Sequence, residues 1–223
     1  MDTPYDALPG VRHCIIFVRM ANESNVGSAG SAIYDSKLFE GLLNRFAKPS
    51  DRILEIGSGR GEFLLQCRAL GRSLAVGVDT TEADVELSQD NGCTTFHYNG
   101  EKLPFPDQHF HLIVSRHSFA TSDPFSFMKE ITRCIRDEGH FLMIVPTEGR
   151  PILGDQAPKR TYTINAVRTL FDGMGYDTIY TNYVFGERYS IPMGSDRLQK
   201  IFNLIPFLPG KDIIGVGQKR VRT

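Results

Sequence analysis

The chain has 223 residues, 41% hydrophobic and 23% charged, enough for one large globular domain with a sizeable core but a squeeze for two. A formal charge of −1 gives no general attraction to polyanions, and no stretch approaches the roughly 18 apolar residues of a membrane-spanning helix. Cys14, Cys67, Cys93 and Cys134 lie far apart without a C-x-x-C pair, which is the usage of a reducing compartment rather than of disulfides or a metal site.

In chain order, residues 1–34 read as an N-terminal extension, with small and polar residues over 22–31. Its apolar run Cys14–Val18 follows Arg12, but it is short, interrupted at Arg19 and has no small-residue cleavage site, so secretion is rejected and a cytoplasmic protein expected. From Asp35, Leu38, Phe39, Leu42, Leu43 and Phe46 recur at helical spacing until Pro49-Ser50-Asp51. Next, Ile53–Ile56 is a short apolar run that breaks into Gly57, Gly59 and Gly61 and resumes at helical spacing with Phe63, Leu64, Cys67 and Leu70; it predicts strand, glycine turn, helix. A second strand over 74–78 ends at Asp79, Thr80 or Thr81 caps a helix to Gln89, and 94–98 is a third strand. The segment Leu103-Pro104-Phe105-Pro106-Asp107 cannot be helical. A fourth strand covers 111–115, Asp123-Pro124 opens a helix expected to run to Glu138-Gly139, and 141–145 is a fifth strand. After a polar loop (148–162) come a helix over 164–173, a strand over 176–185, an apolar segment over 198–208 and a strand over 212–217. The final Lys219-Arg220-Val221-Arg222 reads as a solvated basic end. Strands apolar throughout, alternating with helices, imply a parallel sheet covered on both faces, and the last two strands, lacking a long helix between them, an antiparallel pair at one edge.

Such sheets bind ligands beyond the carboxyl ends of their strands, so the residues there are the candidates: Glu55, Gly57, Gly59 and Gly61 after the first strand, Asp79 after the second, Asn99, Gly100 and Glu101 after the third, and Ser115, Arg116 and His117 after the fourth. A dinucleotide turn wants a third glycine where this chain has Glu62, and no lysine follows the turn as a triphosphate loop requires. Glu55 would repel a pyrophosphate and suit an ammonium or sulfonium. The pattern calls for a ligand cationic at one end and adenosine-like at the other.

The ordered segments Leu54–Gly61, Gly77-Val78-Asp79, Glu101–Asp107, Phe110–Ser115 and Ile131–Pro146 resemble the successive motifs of class I S-adenosylmethionine-dependent methyltransferases. The resemblance covers residues 35–185 and implies an α/β, Rossmann-like seven-stranded sheet, mostly parallel, with helices on both faces and the last strand inserted antiparallel; residues 186–223 would then be a C-terminal lid and the last strand of one methyltransferase domain. It implies that Glu55 and the turn Gly57, Ser58, Gly59, Gly61 hold the methionine end of S-adenosyl-L-methionine, that Asp79, with Thr80 beside it, takes the ribose hydroxyls, that Asn99, Gly100 and Glu101 border the adenine, and that Ser115 and Arg116 floor the pocket near the sulfonium. Competing readings stand beside these: Gly61 as a packing glycine, Asp79 as a helix cap, Glu101 as a solvated loop acid, and Arg60 on the exposed side of the turn.

The chain departs from the family pattern at Asn99, where an acid is usual, at His111, where Asp commonly follows the phenylalanine, and at Ala120-Thr121, which replace the Glu-His pair of some sugar and small-molecule methyltransferases with one residue missing. His117 is then the candidate general base, against the reading that it only packs or orients Arg116. The other histidines from His97 onward, His97, His109, His111 and His140, fall at strand starts or in turns, and Tyr5, Tyr34 and Tyr162 are candidates to line an acceptor pocket. The expected activity is methyl transfer to a small-molecule or glycan acceptor, on oxygen, without metal. The apolar segment ending at Pro209 is a lid or a surface for a membrane-adjacent, lipid-linked acceptor, and the tail loosely resembles the ends of bacterial polysaccharide or glycolipid methyltransferases. A nucleic-acid acceptor is not expected: Ser115-Arg116-His117-Ser118 replaces the N/D-P-P-Y/F of adenine-amine enzymes, the Pro-Cys nucleophile of the cytosine-carbon enzymes is absent, and there is no basic stripe. The alternatives are a non-catalytic S-adenosylmethionine-binding module and a protein or RNA methyltransferase.

Overall fold

A computed structural model describes residues 36–147, 160–184 and 212–221. The expected extension over 1–34, most of the 148–162 loop, the 198–209 segment, Tyr5 and Tyr34 lie outside the described residues.

The first half alternates as expected: α1 (Ser36–Phe46), β1 (Ile53–Ile56), α2 (Glu62–Ala69), β2 (Ala75–Asp79), α3 (Glu82–Asp90), β3 (Thr95–His97) and β4 (Phe110–Arg116). A short helix α4 (Ser118–Thr121), which no periodicity announced, leads to α5 (Pro124–Cys134), β5 (Ile135–Pro146), α6 (Ile164–Gly173), β6 (Tyr176–Val184) and β7 (Asp212–Lys219). Asp123 caps α5 by accepting from Ser126 N at 2.9 Å, with Pro124 in the first turn, and Thr163 caps α6 by accepting from Ala166 N at 3.1 Å.

The seven strands form one sheet in the order β3-β2-β1-β4-β5-β7-β6. All neighbours pair in parallel except β7, which lies antiparallel between β5 and β6, as the resemblance implied. The order reverses between β1 and β4, and that switch point leaves a crevice beyond their carboxyl ends.

Strand alternation sends side chains to two faces. Phe39, Leu42 and Leu43 of α1 and Phe63, Leu64 and Cys67 of α2 pack with Leu112, Val114, Leu142, Ile144, Ile214 and Val216. The intervening residues meet the other helices: Phe141 lies 6.4 Å from Phe119 of α4 and 6.0 Å from Phe171 of α6 between ring centroids. Gly215 and Gly217 of β7 belong to this face, where a Cβ would meet Val167 at 2.7 Å or the Phe171 ring at 3.0 Å. Their missing side chains let α6 settle on the sheet.

Two expectations are corrected. Helix α5 stops at Cys134, well short of Gly139, and β5 is 12 residues long. Phe110 pairs with Ile135 and Leu112 with His140, so residues 136–139 loop out of the ladder, with Glu138 at a left-handed φ of 61°. The cause is distant in sequence: Lys219 Nζ donates to the Ile135 carbonyl at 2.9 Å and pairs with Asp137 at 3.1 Å, and Gln218 donates to the Glu138 carbonyl. The basic end is therefore not simply solvated. Lys219 is buried in β7, and Arg220 pairs with Asp172 and Asp177.

The Leu103–Asp107 segment is irregular, and Arg133 of α5 holds it. Its guanidinium donates to the carbonyls of Leu103 and Phe105, to Asp107 and to Glu130, and Glu130 in turn accepts from Leu103 N at 2.9 Å.

Candidate functional site

The three glycines after β1 differ in what surrounds them. Gly57 and Ser58 both donate their N–H groups to the Val78 carbonyl, at 2.8 and 3.1 Å, which lays the turn over the end of β2. At Gly57 (φ 76°) a Cβ would strike Ser118 Cβ at 2.7 Å, and at Gly61 (φ 85°) it would strike Ser88 Oγ at 2.5 Å and Cys93 Sγ at 2.8 Å. These two are where the loop after β4 and helix α3 come against the turn, so Gly61 does serve packing. Gly59 (φ 50°) has nothing within 4 Å of where a Cβ would stand; its open side lets backbone approach a ligand. Gly77, opposite in β2, is required by Ser58, whose side chain would lie 2.6 Å from an added Cβ.

Asp79 closes the turn from the side. Its Oδ2 accepts from Gly59 N at 2.8 Å and its Oδ1 from Thr81 N at 2.9 Å. The carboxylate thus shapes both the glycine turn and the start of α3, a cap-like role combined with the one expected. A carboxylate offers about four lone-pair sites, so two N–H groups leave acceptor capacity for a diol.

Beneath the turn, Glu55 is fully buried. Its Oε1 accepts from Arg116 Nε at 2.7 Å and lies 2.6 Å from the same guanidinium's second nitrogen. Arg116 is flanked by the rings of Phe39 and Phe63, 5.5 and 5.6 Å from its central carbon. Glu55 Oε2 is buried without a hydrogen-bond partner, and so is Ser58 Oγ. Burial pushes the Glu55 carboxyl up to about 7, with Arg116 opposing.

The third-strand candidates are exposed. Asn99 accepts from Glu101 N at 3.0 Å and sets the loop's turn, with its amide 3.4 Å from the Glu101 carboxylate. Gly100 (φ 83°) lies beside Thr80, whose methyl an added Cβ would meet at 3.5 Å. Across the crevice, Ser115 is buried, and its hydroxyl contacts Ser118 Oγ at 2.8 Å while accepting from Phe119 N. Ser118 Oγ donates to the Ile56 carbonyl at 2.6 Å, tying the β4 loop to the β1 turn. His117 between them has a left-handed φ of 63°, and its N–H donates to the Ile144 carbonyl at 2.8 Å. Its ring is part-exposed, with Nε2 3.8 Å from Asp212 Oδ2.

The structure therefore brings Glu55, Gly57, Ser58, Gly59, Asp79, Ser115, Arg116 and His117 to one crevice edge, with Thr80, Asn99, Gly100 and Glu101 on its β3 side. His97 lies on that β3 side against the Thr80 carbonyl, while His109, His111 and His140 stand elsewhere: His109 beside Phe105, His111 accepting from Arg52 N, and His140 beside Phe46. Tyr162 sits 5.7 Å from Phe119, its hydroxyl buried and unpartnered. Sequence reasoning missed Ser118 and Asp212. Ser118 had a signal in its place after the fourth strand, but Asp212 had none, because it meets His117 only through the insertion of β7 beside β5.

The donor set suits S-adenosylmethionine on three observations: the open side of Gly59, the unpartnered buried Glu55 Oε2, which an ammonium donor would satisfy, and the spare acceptor capacity of Asp79.

A family model described as a methyltransferase domain matches residues 54–143. No curated protein matches the chain by sequence. Among solved structures, a SAM-dependent methyltransferase from Archaeoglobus fulgidus superposes with a TM-score of 0.64 at 18% identity, covering 84% of this chain and 95% of that one. The [4+2]-cyclase SpnF gives 0.64 at 18% identity, with coverages of 84% and 82%. A chain from the complex of the Haloferax volcanii Trm112 methyltransferase activator gives 0.62 at 16%, with coverages of 84% and 95%. At these identities the structural likeness establishes the fold alone. The matched stretch takes in the glycine turn, Asp79 and the strands on either side of the switch-point crevice, so residues 54–143 carry a methyltransferase domain.

Proposed function

We propose that the chain is an S-adenosylmethionine-dependent methyltransferase that acts on a hydroxyl oxygen of a small-molecule or glycan acceptor, with His117 as general base. The observation that carries the reading is the place of His117: a part-exposed imidazole, held in a left-handed backbone conformation at the end of β4, one residue from the Arg116–Glu55 pair and one from Ser118, whose hydroxyl donates to the Ile56 carbonyl before the glycine turn. Residues in such sparsely populated conformations cluster at functional sites.

In this reading Glu55 and the turn from Gly57 to Gly61 hold the methionine end, Asp79 the ribose, and Asn99 to Glu101 border the adenine, with Thr80 alongside. When bound, S-adenosylmethionine supplies a methyl carbon made electrophilic by its sulfonium. The protein's share is alignment of the acceptor and exclusion of water, and His117 takes the proton from the acceptor hydroxyl. Acceptor choice falls to the additions around the sheet, namely residues 1–34, 147–162 and 186–210; the apolar 198–209 segment suits a lipid-linked acceptor near a membrane. No helix among the described residues is long and apolar enough to cross a membrane.

A second reading, transfer to protein or RNA with an activating partner, draws on the neighbour from the Haloferax volcanii Trm112 complex. The fold also accommodates other chemistry, since one neighbour is a [4+2]-cyclase. The test is transfer of radiolabelled methyl from S-adenosylmethionine to a panel of sugar and phenolic hydroxyls, with peptides and RNA alongside. Label should enter hydroxyl acceptors and fall about 10²–10⁴-fold in His117→Gln. Label entering only RNA or peptide, or transfer indifferent to His117→Gln, would overturn the proposal.

A further inference from the structure

Arg116, the last residue of β4, meets Glu55 of β1 through the register of the sheet: Glu55 stands beside Val114, and Arg116, two residues on, projects to the same face. That face is otherwise apolar, with Ile53, Leu112, Val114 and Ile144 packed against Phe39 of α1 and Phe63 of α2. A buried ion pair in such a place adds little to stability that a well-packed apolar pair would not, so its presence points to another use. The grip is lopsided. An arginine can meet a carboxylate as a fork, one nitrogen to each oxygen; here Nε and Nη2 both close on Oε1, at 2.7 and 2.6 Å, and Oε2 is left buried without a hydrogen-bond partner. The rings of Phe39 and Phe63 flank the guanidinium in that pose. A buried carboxylate oxygen without a donor is unfavourable, and a donor brought by a ligand would compensate it. Of the other groups that act on the carboxyl, Glu62 of α2 and Asp79 of β2 oppose its ionisation, as burial does, while Arg116 favours it. The Cys67 thiol of α2, pushed up to about 12, stays neutral.

We propose that Arg116 is a positioning residue for the cofactor, holding the Glu55 carboxylate by one oxygen and leaving the other to receive the ammonium of the methionine end. The inference rests on the reading of Glu55 as the seat of that ammonium. Arg116 then acts through Glu55, rather than as the floor beneath the sulfonium that the family resemblance implied. The pair is neutral as it stands, so the guanidinium charge is not set against a cationic cofactor. Without Arg116 the buried carboxyl would take up a proton and no longer offer the ammonium an opposite charge.

The test needs no knowledge of the acceptor. The full chain is titrated calorimetrically with S-adenosylhomocysteine, whose sulfur is uncharged, so that the α-amino group is the ligand's cation. Affinity is followed from about pH 5.5 to 7.5 in wild type, Arg116→Gln, Glu55→Gln and the double variant. Removing an opposite charge at this distance raises a carboxyl by about one to three pH units. Arg116→Gln should therefore carry the acid limb of binding upward by at least about one unit and bind about fivefold or more weakly at pH 7. In the Glu55→Gln background the same substitution should cause no further loss, since the two residues act as one unit. An acid limb unmoved in Arg116→Gln overturns the proposal. So does an equal loss in the wild-type and Glu55→Gln backgrounds, the result expected if the guanidinium meets the ligand itself. If Arg116→Gln alone does not fold, the double variant decides, because it removes both charges together: it must fold and bind as Glu55→Gln does, and any other result overturns the proposal. An acid limb missing from wild type, or surviving in Glu55→Gln, is a separate failure that removes the reading of Glu55 and the proposal with it. A limb lost in Glu55→Gln but unmoved in Arg116→Gln leaves that reading standing and removes the role of Arg116.

Discussion

Replacing Glu55 with Gln probes the cofactor seat through pH. One oxygen of Glu55 is held by Arg116, the other is buried without a partner, and burial lifts the carboxyl from its ordinary 4.5 to about 7. If the ammonium of the methionine end satisfies the unpartnered oxygen, binding requires the carboxylate and the protonated amine together. Between pH 6 and 7 the ionised fraction of a group titrating near 7 rises from about one-tenth to one-half, so affinity should climb about fivefold, close to 1 kcal/mol. Above about pH 8 affinity should fall again as an α-amino group of ordinary pKa, about 7.7–8.0, loses its proton. Calorimetric titration with S-adenosylmethionine from pH 5.5 to 9 should therefore give a bell in wild type. Glu55→Gln should lose the acid limb, keep the alkaline one, and bind about tenfold or more weakly near neutrality, the loss of a charge-assisted hydrogen bond. A flat wild-type profile from pH 6 to 7.5, or an acid limb that survives in Glu55→Gln, would refute the reasoning. The same carboxyl acts on stability without cofactor. Its raised folded value means that its contribution is fully present below about 4.5 and is lost as pH rises through about 7, about 3 kcal/mol in all. The difference in unfolding free energy between wild type and Glu55→Gln should follow that window.

The glycines should separate by role. Gly59→Ala adds a methyl into open space at a φ of 50°, so it should cost the fold only about 1–2 kcal/mol while weakening S-adenosylmethionine binding sharply; full binding would contradict the seat. Gly61→Ala drives a methyl against Ser88 and Cys93 at a φ of 85° and should lower stability by about 2–4 kcal/mol in urea unfolding. Gly77→Ala displaces Ser58 and Leu64, at about 1–3 kcal/mol, with loss of affinity through the turn; unchanged affinity would separate Ser58 from the site. Arg133→Ala leaves Glu130 and two loop carbonyls without their donor and should cost about 2–4 kcal/mol; a change below about 0.5 kcal/mol, the size of an ordinary surface substitution, would show that the Leu103–Asp107 loop is held otherwise.

What was legible in the sequence was local. The run from Ile53 to Gly61, the acid at Asp79 and the Asp123-Pro124 start each carry their structural meaning within a few residues, and their order was enough to foresee the sheet. The roles of the individual glycines were not legible, because Gly57, Gly59 and Gly61 look alike until Ser118, Ser88 and Cys93 are placed around them. The end of α5 was misjudged for the same reason. Residues 135–138 pass for helix by composition, and what turns them into strand and bulge is Lys219, 84 residues from Ile135. Lys219 and Arg220 read as a solvated tail because a charge run carries no sign of its partners. Asp212 could not be linked to His117 at all, since only the insertion of β7 beside β5 brings them together.

Calorimetric titration of wild type and Asp79→Ala with S-adenosylmethionine at pH 7 tests the central claim most directly. Asp79 joins the open glycine to the start of α3 by two hydrogen bonds and is the acid expected to take the ribose hydroxyls. The account predicts saturable binding to wild type that Asp79→Ala weakens at least tenfold, the loss of hydrogen bonds to a charged acceptor. Absence of binding to wild type, or equal binding by both proteins, would contradict it.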